Sequence, residues 1–293
     1  MAFDSYRTGE YFQQQRHMLL NGDPRALICF CVDVSKSMQE WWIQAGGIRR
    51  TKGSTYSDGH MVQEFDEQDL LPGYDHYVKI DKLNDILGSL LRDLKNDPEL
   101  NKKVAVSIVV YSRAGRVIYD FLDCAHRDIN SCKCTVEDSD TYMGEGLRVA
   151  LQQIDEMTNE MRYTGKDSYV PLLIFMTDGT PTDDPSQEFR EVRNRVEAGK
   201  LRLFPLGIGD GADMSRLRDM FPMGMAPDNF NTRYKMCRPR DYEEIFRQIK
   251  DSIRRRQSMM VTEENSIQSA PAIEHHAVIN NQTGETVDIF NLF

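Results

Sequence analysis

Apolar residues follow two rhythms along this chain, and their alternation predicts its fold. Unbroken apolar runs occupy residues 26–34 (ALICFCVDV), 103–111 (KVAVSIVVY) and 169–176 (YVPLLIFM). They are short and rich in Ile, Val and Phe, which suits strands buried on both faces. Residues 201–208 read as a further strand, 116–122 as a shorter edge strand and 233–237 as a last one. Between the runs the period becomes helical. Ile80, Leu83, Ile86, Leu87, Leu90, Leu91 and Leu94 form one stripe, closed by Asn96-Asp97-Pro98. Residues 143–161, 188–198, 213–220 and 241–256 continue the helical pattern.

That order predicts an α/β domain: a doubly wound, mostly parallel six-stranded sheet with one antiparallel edge strand and helices on both faces. The antiparallel member is 116–122, because only a tight turn at residues 112–115 separates it from the strand before. The expected organisation is an N-terminal extension at 1–24, the domain at 25–258 with a long insertion at about 39–78, and an acidic tail at 259–293. The insertion carries both tryptophans, several glycines and an acidic run at 64–69, and is expected to hold little regular structure, with Trp41 and Trp42 free to cover core surface. Past Met260 there is no Lys or Arg; this tail reads as flexible, or as a docking segment through residues 287–293.

The formal charge of -10 argues against nucleic acid or anionic lipid as a partner. No apolar stretch reaches the length of a membrane span, and the first residues lack an export signal's apolar region. Cys29 and Cys31 alternate on one face of a buried strand as free thiols would, which favours the cytoplasm as the compartment. Oligomeric state is left open by these features.

Polar clusters fall where strands end, the place open α/β sheets bind ligands. Asp33, Ser35 and Ser37 leave the first strand, Thr141 precedes a helix, and Asp178 follows a fully apolar strand. Two carboxylates and three hydroxyls make an all-oxygen donor set suited to a hard cation. The same residue types are also ordinary turn and helix-cap residues.

The spacing Asp33-Val34-Ser35-Lys36-Ser37, with Thr141 in TYMGEGL and Asp178 in FMTDGTPTDD, resembles von Willebrand factor type A domains and their metal-ion-dependent adhesion site. Asp97-Pro98, the TDG-x-PTDD run and Gly207-Ile208-Gly209-Asp210 are most similar to the bacterial cytoplasmic TerY-like (tellurite-resistance) branch. The resemblance implies a non-catalytic module with Mg²⁺, Mn²⁺ or Ca²⁺ at Asp33, Ser35, Ser37, Thr141 and Asp178. It also implies a protein partner supplying a Glu or Asp to the metal, in a stress-response setting. Lys36 and Asp140 depart from the glycines usual in the family, and the insertion leaves from the site itself. The alternative is a structural component of a phage or cellular assembly with a vestigial metal site.

Other chemistry is poorly supported. Cys124, His126, Cys132 and Cys134 have an unsuitable spacing for structural zinc, and His275-His276 is an isolated pair. No Gly-rich phosphate cradle and no G-x-S-x-G nucleophile motif occurs, so the chain is not expected to be an enzyme.

Overall fold

A computed structural model describes residues 25–251 apart from 58–59, 122–131, 166–168, 237, 239–240, 248 and 250, together with residues 278–279 and 286–287. The strands are β1 (Ala26–Asp33), β2 (Trp41–Ile43), β3 (Gly53–Ser57), β4 (His60–Glu64), β5 (His76–Val78), β6 (Val104–Tyr111), β7 (Gly115–Tyr119), β8 (Leu172–Thr177), β9 (Arg202–Ile208) and β10 (Lys235–Met236). The helices are α1 (Lys79–Asn96), α2 (Pro98–Lys103), α3 (Met143–Tyr163), α4 (Ser186–Glu197), α5 (Met214–Arg218) and α6 (Phe230–Arg233), and residues 241–251 are helical where described.

Six strands form one sheet in the order β10-β9-β8-β1-β6-β7. Every pairing is parallel except β6 with β7. This is the doubly wound, mostly parallel sheet that the runs predict. All eight residues of β6 and all six of β8 are buried, which only strands covered on both faces need. Side chains alternate across the sheet, so neighbours in β1 serve opposite layers. Phe30 stacks on Phe246 of the last helix, at 6.0 Å between ring centroids. One residue on, Cys31 lies in register with Phe175, whose ring stacks on Tyr111 at 5.4 Å. Tyr111 in turn faces α3, where a Cβ placed on Gly146 would come within 2.5 Å of its ring. α1 shares the first layer through the Lys82–Glu243 ion pair, and Tyr77 of β5, just before it, meets Tyr242 edge-on.

The insertion is more regular than its composition predicts. β2 and β5 pair antiparallel as a short ribbon, and β3 and β4 pair antiparallel as a hairpin beyond it. Trp42 is 8% exposed and stacks on Tyr77 across the ribbon, with centroids 5.3 Å apart. Trp41 is half-buried against Phe65 and His76. Glycines and polar residues mask the strand period here, but ribbon pairing lets two aromatic rings cover each other and thereby favours the extended backbone. In the tail only Val278–Ile279 and Thr286–Val287 are described, as an antiparallel pair. The segment from 288 to 293 and His275-His276 lie outside the described residues.

Candidate functional site

β1 neighbours β6 on one side and β8 on the other, and its connections diverge there, so the topological switch point of the sheet lies beyond the ends of β1 and β8. Four of the five expected residues, Asp33, Ser35, Ser37 and Asp178, are linked there by hydrogen bonds. Asp33 and Ser35 are fully buried, and Ser37, Thr141 and Asp178 nearly so. Ser37 Oγ donates to Asp178 Oδ1 at 2.8 Å and lies 3.0 Å from Ser35 Oγ. Asp33 accepts from the Ser35 backbone N–H at 2.8 Å and from the Thr177 hydroxyl at 2.7 Å.

Thr141 lies on a separate loop, its Oγ1 3.9 Å from where a Cβ on Gly179 would stand. Its N–H donates to Thr182 Oγ1 at 2.8 Å, and its carbonyl accepts from the Thr182 N–H at 3.0 Å. The next residue, Asp183, accepts from the backbone N–H groups of Met143 and Gly144 at 3.0 and 2.8 Å. The TDG-x-PTDD run therefore carries one carboxylate for the cluster, Asp178, and another that caps α3 at its positive end.

The strand exit is braced by the segment after Cys134. Glu137 N–H donates to the Val34 carbonyl, and Lys36 N–H to the Asp138 carbonyl at 2.7 Å. Lys36 is exposed, and Asp140 pairs with Arg113 at 2.6 Å, so neither departure from the family pattern reaches into the cluster. Cys132 and Cys134 are buried, and burial pushes the Cys134 thiol up to about 12. Cys124 and His126 lie outside the described residues.

The expected cation does not fit this site, which corrects the reading of Mg²⁺, Mn²⁺ or Ca²⁺ as a cofactor. Among the described residues no group of three or more His, Cys, Asp or Glu is placed to hold a metal ion. The physical reason lies in a residue that the motif does not include. Lys79, the first residue of α1, is 6% exposed and directs its ammonium into the cluster. Its Nζ donates to Asp178 Oδ2 at 2.8 Å, to the Ser37 carbonyl at 3.1 Å and to Glu40 Oε2 at 3.4 Å. Both oxygens of Asp178 and both of Asp33 already accept hydrogen bonds. A divalent ion about 4 Å from the ammonium would meet roughly 8 kcal/mol of repulsion at an effective dielectric near 20.

Electrostatics support an internally paired cluster. Burial works against the charge on Lys79, but Asp178 and Glu40 outweigh it and raise the lysine's pKa. At Asp33 burial, together with the Asp178 charge, pushes the carboxyl up to about 7, against the hydrogen bonds from Ser35 and Thr177.

Lys79 has a legible signal. It stands four residues before Leu83, on the buried stripe of α1, where a lysine is out of place. It also sits at a helix N-terminus, where the macrodipole disfavours a cation. Two local rules broken at one residue mark a site.

With this geometry in place, comparison with known proteins defines the class. The family model of the von Willebrand factor type A domain matches residues 76–248, more than half of the chain, and the chain belongs to that family. Such domains are in general non-catalytic modules of adhesion and protein contact. The match begins beyond β1, Ser35 and Ser37, yet β1 is central to the sheet.

Human (Homo sapiens) inter-alpha-trypsin inhibitor heavy chain H6 is 26% identical over 144 residues, 48% of this chain and 11% of that protein. The chain thus spans about a tenth of the length of this curated relative. Among solved structures, proximal thread matrix protein 1 from the mussel byssus aligns with a TM-score of 0.45 at 14% identity, over 77% of this chain and 47% of that one. The conserved hypothetical protein BatB from Bacteroides thetaiotaomicron aligns at 0.34 and 13%, over 63% and 67%. No helix among the described residues is long and apolar enough to cross a membrane.

Proposed function

We propose that this chain is a protein-contact component of a cellular or phage assembly, that its insertion is the partner-facing part, and that its strand-end cluster serves structure. The observation that carries this reading is the folded insertion. The β2–β5 ribbon stands beside the strand ends, and the β3–β4 hairpin beyond it forms a two-stranded sheet of its own. Each hairpin strand has one edge whose backbone groups pair with no other described strand, a ready template for an added strand. The internally paired cluster supports the structural half of the reading, since it has no need of a partner's carboxylate.

The domain in this reading runs from 25 to 258, with the insertion at 39–78 and appended segments at 1–24 and 259–293. Its setting is the cytoplasm, supported by the buried thiols of Cys29, Cys31, Cys132 and Cys134. Kinship with the TerY-like stress-response branch is supported by the TDG-x-PTDD run and by Asp97-Pro98.

The test is capture of partners from the source cell's extract, in Mg²⁺ or in EDTA, by wild-type protein and by a variant with residues 53–64 replaced by a short Gly-Ser turn. Capture that survives EDTA and is lost with the hairpin supports the reading. Capture that requires Mg²⁺, or that persists without the hairpin, overturns it.

A further inference from the structure

We infer that Lys79 is a tethered cation, a charge supplied from within the chain that both neutralises Asp178 at the strand ends and closes the neck of the insertion. The inference rests on the reading of the cluster as structural, but not on which surface meets the partner.

The ammonium is fully used. It has three N–H donors, and three acceptors face it: Asp178 Oδ2, the Ser37 carbonyl and Glu40 Oε2. These come from the end of β8, from the turn after β1 and from the residue that opens the insertion. Glu40 immediately precedes β2, and Lys79 immediately follows β5. The two also meet through the backbone, since Lys79 N–H donates to the Glu40 carbonyl at 3.2 Å. The insertion thus leaves and re-enters the domain through one doubly bonded pair.

Its seat is built to match. Gly209 leaves β9 with φ of +73°, and a Cβ there would lie 3.5 Å from Lys79 Cε and 3.7 Å from the Trp42 ring. The lysine stem and the tryptophan therefore pack side by side over that glycine. Beside them Trp42 Nε1 donates to Asp210 Oδ2 at 3.2 Å. The charge in the cluster and the seat of the ribbon are consequently one arrangement. Withdrawing the ammonium opens the neck, and opening the neck carries the ammonium away from Asp178.

The experiment uses the full chain as wild type, Lys79→Ala, Lys79→Arg, and Lys79→Ala combined with Asp178→Asn. Thermal unfolding is read in EDTA, in MgCl₂ alone, and with propylammonium, which matches the side-chain atoms that the alanine removes. The expected wild-type Tm is the same in EDTA and in MgCl₂. Lys79→Ala lowers it by on the order of 10 °C, because an unpaired carboxylate is left buried. Propylammonium recovers a large part of that loss, and propanol does not. Lys79→Arg retains more of the wild-type Tm than Lys79→Ala does. The double variant has no response to propylammonium.

A second measurement needs no destabilised variant. Amine acetylation of the native wild type, read by mass spectrometry, should modify Lys79 more slowly than Lys82 or Lys95. The inference is overturned by a wild-type Tm that MgCl₂ raises and EDTA lowers, by a Lys79→Ala protein as stable as wild type, by equal rescue with propanol, or by rapid acetylation of Lys79. Failure of the hairpin capture experiment alone would leave the inference standing, so the two ideas fail separately.

Discussion

Thr177 donates its hydroxyl proton to Asp33 Oδ2 at 2.7 Å, joining the last residue of β8 to the last residue of β1. Two adjacent parallel strands thus end on a shared hydrogen bond, and the carboxyl that accepts it is fully buried. A buried carboxyl held by neutral donors, with a second carboxylate nearby, is easier to keep protonated than ionised.

This arrangement predicts a pH dependence. The Asp33 carboxyl is pushed up to about 7, from the ordinary 3.8 of an aspartate. Because the folded state holds this proton more tightly than the unfolded chain, it stabilises the fold while bound. That contribution declines as pH rises from about 4 through about 7. Urea unfolding at pH 5 and pH 8 should show wild-type stability falling by about 2–4 kcal/mol from this group. Asp33→Asn should flatten that part of the curve, and parallel profiles for the two proteins would count against the assignment.

At the opposite edge of the cluster, Asp183 takes the first two N–H groups of α3. Asp183→Ala leaves both without this acceptor and should cost about 1–2 kcal/mol. Hydrogen exchange should show the loss concentrated at the start of α3, while the far end of the helix is unchanged.

Gly146 provides a diagnostic of the α3 packing. An ordinary helical glycine replaced by alanine gains roughly 1 kcal/mol. Here the added methyl would stand within 2.5 Å of the Tyr111 ring, so Gly146→Ala should instead destabilise by about 1–3 kcal/mol. A rise in Tm for this variant would mean that α3 and β6 are farther apart than described.

Trp42 holds the ribbon by two means, its stack on Tyr77 and its hydrogen bond to Asp210. Trp42→Phe keeps a ring and removes the donor, with an expected cost of about 0.5–1.5 kcal/mol. Trp42→Ala removes both and should cost about 3–5 kcal/mol. Equal effects in thermal unfolding would show that the stack contributes little.

Much of the domain was legible because its signals are local. β1, β6 and β8 are apolar at nearly every position, as burial on both faces demands, and α1 carries its stripe from Ile80 to Leu94. Boundaries moved by a few residues, with the strand expected at 169–176 forming at Leu172–Thr177. The insertion's strands leave no such local signal, since Trp42 and Tyr77 lie 35 residues apart in the chain and only their pairing makes the ribbon regular. Of the strand-end cluster, spacing pointed to Asp33, Ser35, Ser37 and Asp178; Lys79 stood out as a lysine on an apolar stripe, but its partner Asp178 could not be read from the sequence.

By itself the sequence determined the main strands and helices of the central sheet domain, because each depends on the hydrophobic period within about ten residues. It also determined that polar groups leave the ends of β1 and β8, since those groups follow directly on apolar runs. Only the tertiary structure decided that Lys79 meets Asp178, 99 positions away, at 2.8 Å. A lysine's long stem reaches inward or outward at similar cost until a buried carboxylate is placed beside it. That placement comes from sheet order and ribbon closure, which no local pattern encodes.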